Sequence, residues 1–195
     1  MTTRISGGEH RGRQIKAPTF GGMRPTSERV RAAVFSIIGP NAVEGMRVLD
    51  LYAGTGALGI DALSRGAAWV DFVERDGRMC RAIRSLLRQL SLDERARVYT
   101  GQVRKTLPRL EGGYDLIFAD PPYESGELVD LLDDLESPGL IRDGATVIFE
   151  YRSNSEPIKP TGRFSRVTDR KYGDTSVTIM KAGTKDAESS LSGNI

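Results

Sequence analysis

Between Arg47 and Phe149 short apolar runs alternate with helical stripes, and glycines mark most of the changes from one to the other. Val48-Leu49-Asp50-Leu51-Tyr52 predicts a short strand, followed by a glycine loop from Ala53 to Gly59 and a helix that stops at Arg65-Gly66. Trp69 to Val73 predicts a second strand ending at Glu74, Arg78 to Leu90 an amphipathic helix, and Arg97-Val98-Tyr99 a third strand. Leu116-Ile117-Phe118-Ala119 is apolar throughout, as expected of a central strand covered on both faces of a parallel sheet. Leu128 to Leu135 reads as a helix and Thr146 to Phe149 as a fifth strand. Phe164 to Val167 and Ser176 to Met180 add two more, joined through Tyr172-Gly173-Asp174 as an antiparallel C-terminal hairpin. The alternation predicts an α/β fold: a mostly parallel seven-stranded sheet with helices on both faces.

Ahead of this core, Ile5 to Ile15 carries Gly7, Gly8 and Gly12 and reads as a small N-terminal β arm. A helix is expected from Thr26, with Glu28 in its positive first turn and Val30, Val34, Ile37 and Ile38 as its apolar stripe, ending at Gly39-Pro40. The organisation expected is a basic arm and helix over 1–40, the main domain over 41–182, and a small, polar, disordered tail over 183–195.

Charge sharpens the role of the arm. The net charge is only +2. Up to Arg31, however, Arg4, Arg11, Arg13, Lys16, Arg24, Arg29 and Arg31 face only Glu9 and Glu28. That asymmetry suits a polyanionic partner. No stretch approaches the roughly 18 apolar residues of a membrane helix, and Met1 to Gly8 lacks the apolar core of a signal peptide, so a cytoplasmic protein is expected. A lone Cys80 and a lone His10 remove disulfides, cysteine clusters and histidine-based triads as mechanisms. Cys80 sits in an apolar helical pattern and reads as packing. The chemistry left is that of carboxylates, backbone groups, aromatics and a cofactor, with no metal.

Two motifs carry that chemistry. Asp50-Leu51-Tyr52-Ala53-Gly54-Thr55-Gly56-Ala57-Leu58-Gly59 follows a strand and opens a helix, with Glu74 at the end of the next strand. Glycines there let the backbone approach a ligand, and an acid about 20 residues on can bind both hydroxyls of a ribose. The other motif, Asp120-Pro121-Pro122-Tyr123, follows the apolar fourth strand directly. An amino group on a base ring is a poor nucleophile because its lone pair is delocalised. A site for it must accept both N–H groups while aiming that lone pair at the electrophile. Asp120 offers a carboxylate, Pro121 a carbonyl in a turn fixed by two prolines, and Tyr123 a ring for stacking. A third position, Gly101-Gln102-Val103, follows the third strand; proteins of this fold often hold an adenine there through an acid, and here the Gln102 amide stands in that place.

With these residues in hand, the chain resembles the bacterial family that methylates N2 of a guanine in small-subunit (16S) ribosomal RNA. The likeness runs through Gly12-Arg13, Arg24-Pro25-Thr26, Arg29-Val30-Arg31, the glycine loop, Ala62 to Gly66, Phe72-Val73-Glu74, Asp120 to Tyr123 and Tyr172-Gly173. The resemblance implies a class I methyltransferase, Rossmann-like, using S-adenosylmethionine. Asp50, Ala53, Gly54, Thr55, Gly56, Glu74, Gln102, Val103 and Asp120 would line the cofactor site, Asp50 holding its methionine end. Asp120, Pro121, Pro122 and Tyr123 would hold the flipped guanine, and Tyr172 is a candidate to close over it. Arg11, Arg13, Arg24, Thr26, Arg29 and Arg31 would contact the 16S rRNA or small ribosomal subunit, with guanine 966 as the family's target. A monomer is expected.

Three other readings compete. An adenine-N6 DNA methyltransferase could use the same tetrad, but its usual target-recognition domain has no room here. A nicotinamide oxidoreductase fits the glycines less well, because Asp50 precedes Gly54 in the pattern acid-x-x-x-Gly-x-Gly. A non-catalytic RNA-binding assembly factor would have no use for an intact Asp120.

Overall fold

The computed structural model describes residues 2–16, 27–39, 41–121 and 127–184, with backbone alone for 127–129. Arg24, Thr26, Pro122, Tyr123 and the tail from 185 lie outside the described residues. The α/β architecture expected from the alternation is present. Its seven-stranded sheet runs β5-β4-β3-β6-β7-β9-β8, where β3 is Arg47–Leu51, β4 Trp69–Glu74, β5 Ala96–Thr100, β6 Tyr114–Ala119, β7 Ile141–Arg152, β8 Phe164–Tyr172 and β9 Thr175–Ala182. The first five strands in this order pair in parallel, whereas β9 runs antiparallel to both β7 and β8.

The all-apolar β6 is central, between β3 and β7. Chain order reverses at this point, with β4 and β5 on one side of β3 and β6 and β7 on the other. Open α/β sheets bind their ligands outside the strand carboxyl ends at such a switch.

Two apolar cores cover the two faces. One gathers Val48, Phe72, Phe118 and Ile148 beneath α1 (Glu28–Ile38), α2 (Ala57–Ser64) and α3 (Gly77–Gln89). The other gathers Leu49, Ile117, Val147 and Phe149 beneath α4 (Val103–Thr106) and α5 (Glu127–Leu135). Alternate residues of each strand go to opposite cores, as the two-residue period of a strand requires.

Helix α1 is capped by Ser27, whose hydroxyl accepts from the Val30 N–H at 3.2 Å, so it starts just after the expected Thr26. The one-turn α4 is too short to show a period in the sequence and was not expected. β7 begins at Ile141, well before Thr146, after a register shift against β6.

The arm forms a two-stranded antiparallel sheet of β1 (Thr2–Arg4) and β2 (Gln14–Lys16). It is not a free extension, for Ile5 and Ile15 belong to the same core as Val34, Phe35 and Leu63. Its turn is laced to the end of α2. Ser64 Oγ donates to the Gly7 carbonyl at 2.6 Å and accepts the His10 N–H at 2.9 Å. Gly8 cannot be another residue: a Cβ there would lie 1.8 Å from the Ser64 carbonyl oxygen.

Candidate active site

The loop after β3 is shaped by three left-handed residues, Tyr52 (φ 56), Gly54 (φ 53) and Gly56 (φ 73). For a bulky tyrosine that conformation costs about 1–2 kcal/mol, a local strain placed at the mouth of the sheet. The loop is held down by its neighbour strand. Ala53 N–H donates to the Val73 carbonyl at 3.0 Å, and Gly54 N–H donates to Glu74 Oε2 at 2.8 Å. Glu74 Oε1 accepts the Asp76 N–H, also at 2.8 Å. A carboxylate has about four lone-pair sites, so Glu74 keeps acceptor capacity for the hydroxyls of a ribose. Above Gly54 the space is open, because a Cβ there would meet only the Tyr52 carbonyl, at 3.8 Å. Thr55 is buried beside it.

Asp50 lies beneath this loop and is 2% exposed. Its Oδ2 accepts the Gly59 N–H at 2.9 Å. Gly59 has no room for a side chain: a Cβ would stand 2.3 Å from Phe72 Cε1 and 2.9 Å from Asp50 Oδ2. Burial raises the Asp50 pKa to about 8, opposed by the Gly59 N–H and assisted by the charges of Glu74, Asp120 and Glu150. In the ligand-free protein at neutral pH the group is thus largely a neutral acid.

Those three acids share one face of the sheet. Phe72, Phe118 and Ile148 all point into the core beneath α1 to α3, and two residues on along each strand come Glu74, Asp120 and Glu150. Ala119 is registered against Phe149, so Asp120 emerges next to Glu150 at about 5 Å strand spacing. Glu150 was not singled out from the sequence. The signal was available, since Val-Ile-Phe-Glu ends in an acid just as Phe-Val-Glu and Phe-Ala-Asp do. Asp120 is half-buried and Pro121 buried. The third expected loop joins the same cluster. Gly101 N–H donates to the Glu74 carbonyl at 2.9 Å, and Gln102 follows, exposed, as the residue before α4, with Val103 buried behind it.

A row of acids around an open glycine turn fits a ligand with a cationic end and a ribose. No group of three or more histidine, cysteine or acidic residues able to hold a metal occurs among the described residues. None of the described helices is long and apolar enough to cross a membrane.

Of the arginines assigned to RNA, Arg11, Arg13 and Arg29 are exposed. Arg31 is a correction. It is fully buried, its Nε donating to Asp61 Oδ2 at 2.8 Å, and its Nη2 reaching the Arg4 carbonyl and Thr3 Oγ1. It cannot touch RNA; it ties α1 to α2 and to the arm. Tyr172, half-buried at the end of β8, packs on the core beneath α1 to α3, the face that carries the acids. Cys80 is buried, as its packing role requires.

A family described as Conserved hypothetical protein 95 matches residues 3–181, arm and sheet alike. The chain belongs to this family. YlbH of Bacillus subtilis is 34% identical over 181 residues, covering 91% of this chain and 98% of YlbH. Ribosomal RNA small subunit methyltransferase D of Escherichia coli K12 is 35% identical over 158 residues, 80% of this chain and 79% of that protein. Among solved structures, one described as "Putative methyltransferase yhhF from Escherichia coli" superposes with a TM-score of 0.81 at 29% identity, covering 94% of this chain and 99% of that one. The resemblance drawn from the sequence and the fold it implied are both borne out. The fold is shared with that structure, and in this chain the glycine turn and Asp120 lie at its switch point.

Proposed function

We propose that this protein transfers a methyl group from S-adenosylmethionine to the exocyclic N2 of a guanine in 16S ribosomal RNA, guanine 966 being the first site to examine. The observation that carries the reading is the alignment of Asp50, Glu74 and Asp120 on one face of the sheet at its switch point. The relative from Escherichia coli, named for small-subunit ribosomal RNA, supports the substrate class.

When bound, S-adenosylmethionine supplies an electrophilic methyl group on a sulfonium. The chain's own residues do the rest. Glu74 fixes the Gly54 N–H and would accept hydrogen bonds from the ribose hydroxyls. Ala53, Thr55 and Gly56 complete the turn, and Gln102 and Val103 would hold the adenine. Asp50 would hold the cationic methionine end, whose charge would favour the ionised carboxylate over the acid. Asp120 and the Pro121 carbonyl would accept the two N–H groups of the target amine and so orient its lone pair, the roles of Pro122 and Tyr123 resting on the sequence motif. Asp120 is also placed to take the proton that leaves. The base must be unpaired or flipped to enter.

Arg11, Arg13 and Arg29 contact phosphates, Arg24 and Thr26 are assigned to the same RNA by the sequence, and Tyr172 closes over the base. Residues 1–40 thus form the RNA-binding arm and helix, 41–182 the transferase domain, and 183–195 a tail. The protein acts as a cytoplasmic monomer.

The test is methyl transfer from labelled S-adenosylmethionine to 16S RNA, small subunits and duplex DNA in parallel, with nucleoside analysis of the product. N2-methylguanosine in RNA, lost in Asp120→Ala, is expected. N6-methyladenine in DNA would overturn the substrate, and transfer to none of them would overturn the enzymatic reading.

A further inference from the structure

The exposed face of α3 has no part in the site above. From 75 to 89 the chain carries Arg75, Arg78, Arg81, Arg84 and Arg88 against Asp76 alone. Helical geometry sets Arg81, Arg84 and Arg88 opposite Met79, Cys80, Ile83, Leu86 and Leu87, the residues that α3 buries. Like charges one turn apart repel, and Arg78 in the first turn opposes the helix dipole. Arg88 in the last turn favours the dipole, Arg78 pairs with Asp76 and Arg84 ties α3 to β5, whereas Arg75 and Arg81 bring the fold no such gain.

Several arginines elsewhere in the transferase domain meet acids. Arg47 meets Asp71 and Glu111, Arg104 meets Asp130 and Asp134, Arg142 meets Asp115, and Arg163 meets Asp143. On α3 only Arg78 has an acid, the capping Asp76, while Arg84 donates to the Val98 carbonyl and Thr100 Oγ1. Arg75, Arg81 and Arg88 are exposed, with no acidic partner among the described residues. Beside the stripe, β2 of the arm borders α3 across an open groove of about 300 Å³ lined by Gln14, Lys16, Ala82, Ser85, Leu86 and Gln89. Its polar groups are amides, a hydroxyl and an ammonium, without a carboxylate. Arg75 directly follows Glu74, so the stripe starts at the rim of the cofactor site and runs away from it for about 20 Å along α3.

We propose that this face of α3, with the groove against β2, is a docking track for the phosphate backbone of RNA flanking the target base. The proposal rests on RNA being the substrate. Guanidinium forks match phosphate oxygens, and Lys16 adds a point charge. Contacts of this kind set register without reading sequence. They extend the basic surface of the arm onto the transferase domain, on the side where the cofactor loop is anchored. An acidic protein surface is the alternative occupant that the test separates.

The measurement is binding to naked 16S RNA across a salt titration, for wild type, Arg81→Gln/Arg88→Gln, Arg81→Lys/Arg88→Lys and a control, Arg104→Gln. Loss of two phosphate contacts should weaken binding about tenfold near 0.1 M salt and flatten the log–log salt slope by about 1.4–1.8. The lysine pair and the Arg104 control should keep the wild-type slope, and S-adenosylmethionine affinity should be unchanged in all four, which shows the fold intact. A glutamine pair that binds RNA with wild-type affinity and slope would overturn the proposal. Wild-type protein that binds no RNA would instead remove the reading on which it rests.

Discussion

Arg31 donates its Nε–H to Asp61 at 2.8 Å, and both side chains are completely buried. Asp61 also accepts the Ser6 N–H at 2.6 Å and the Ser6 hydroxyl at 2.9 Å, so one carboxylate joins α1, α2 and the arm. Removing one partner of a buried pair strands the other charge, at about 3–5 kcal/mol. Asp61→Ala and Arg31→Met should each lower stability by that order in denaturant unfolding. RNA affinity of the protein that remains folded should stay close to wild type. A selective loss of RNA binding in Arg31→Met, with unfolding midpoint unchanged, would return Arg31 to the substrate surface.

Gly59 should tolerate nothing larger. Its Cβ would overlap Phe72 and crowd Asp50, and forced overpacking of this kind costs about 1–3 kcal/mol. Gly59→Ala is therefore expected to lower the melting temperature and, by moving the loop off Glu74, to weaken S-adenosylmethionine binding. Thermal unfolding and calorimetric titration check both; an alanine variant with wild-type values for each would show that α2 can shift without consequence.

Asp50 gives the ligand-free protein a pH dependence of definite sign. Its folded pKa, about 8, lies above the model-peptide value of 3.8, so folding retains a proton that the unfolded chain releases. The stability this contributes is full below about pH 4 and is lost as pH rises toward 8. Unfolding free energy of the wild type should fall across that window relative to Asp50→Asn, which cannot titrate. Binding a cationic cofactor at pH 7 should in turn release close to one proton, seen as a buffer-dependent binding enthalpy. Equal slopes for wild type and Asp50→Asn would mean that Asp50 is ionised throughout.

The sheet and most of the site were legible because their signals are local. Strand–loop–helix punctuation marks β3 to α2, and Glu74 and Asp120 each stand directly after an apolar strand. Arg31 was misread for a non-local reason. A helical wheel places Val30 inward and leaves its neighbour to solvent, unless another segment covers that side. The segment that does so is the arm, and nothing near Arg31 in the sequence announces it. Asp61 escaped notice on the same account, being a charged residue in a helix that is buried all round. Glu150 stood in plain sight but followed no glycine or proline, and its place beside Asp120 depends on the β6–β7 register.

The stitching of the arm to α2 also constrains the order of events during synthesis. Ser6, Gly7 and His10 find their partners at Asp61, Ser64 and Arg65, from 54 to 59 positions further on. The turn of the arm therefore has no partner until α2 has left the exit tunnel, although its strands can already meet α1 through Arg31 and through Val34 and Phe35. Closing that span must precede any gain from the contacts. The arm's basic turn becomes a fixed surface only once the helix opened by the glycine loop exists, so the two regions acquire their native form together.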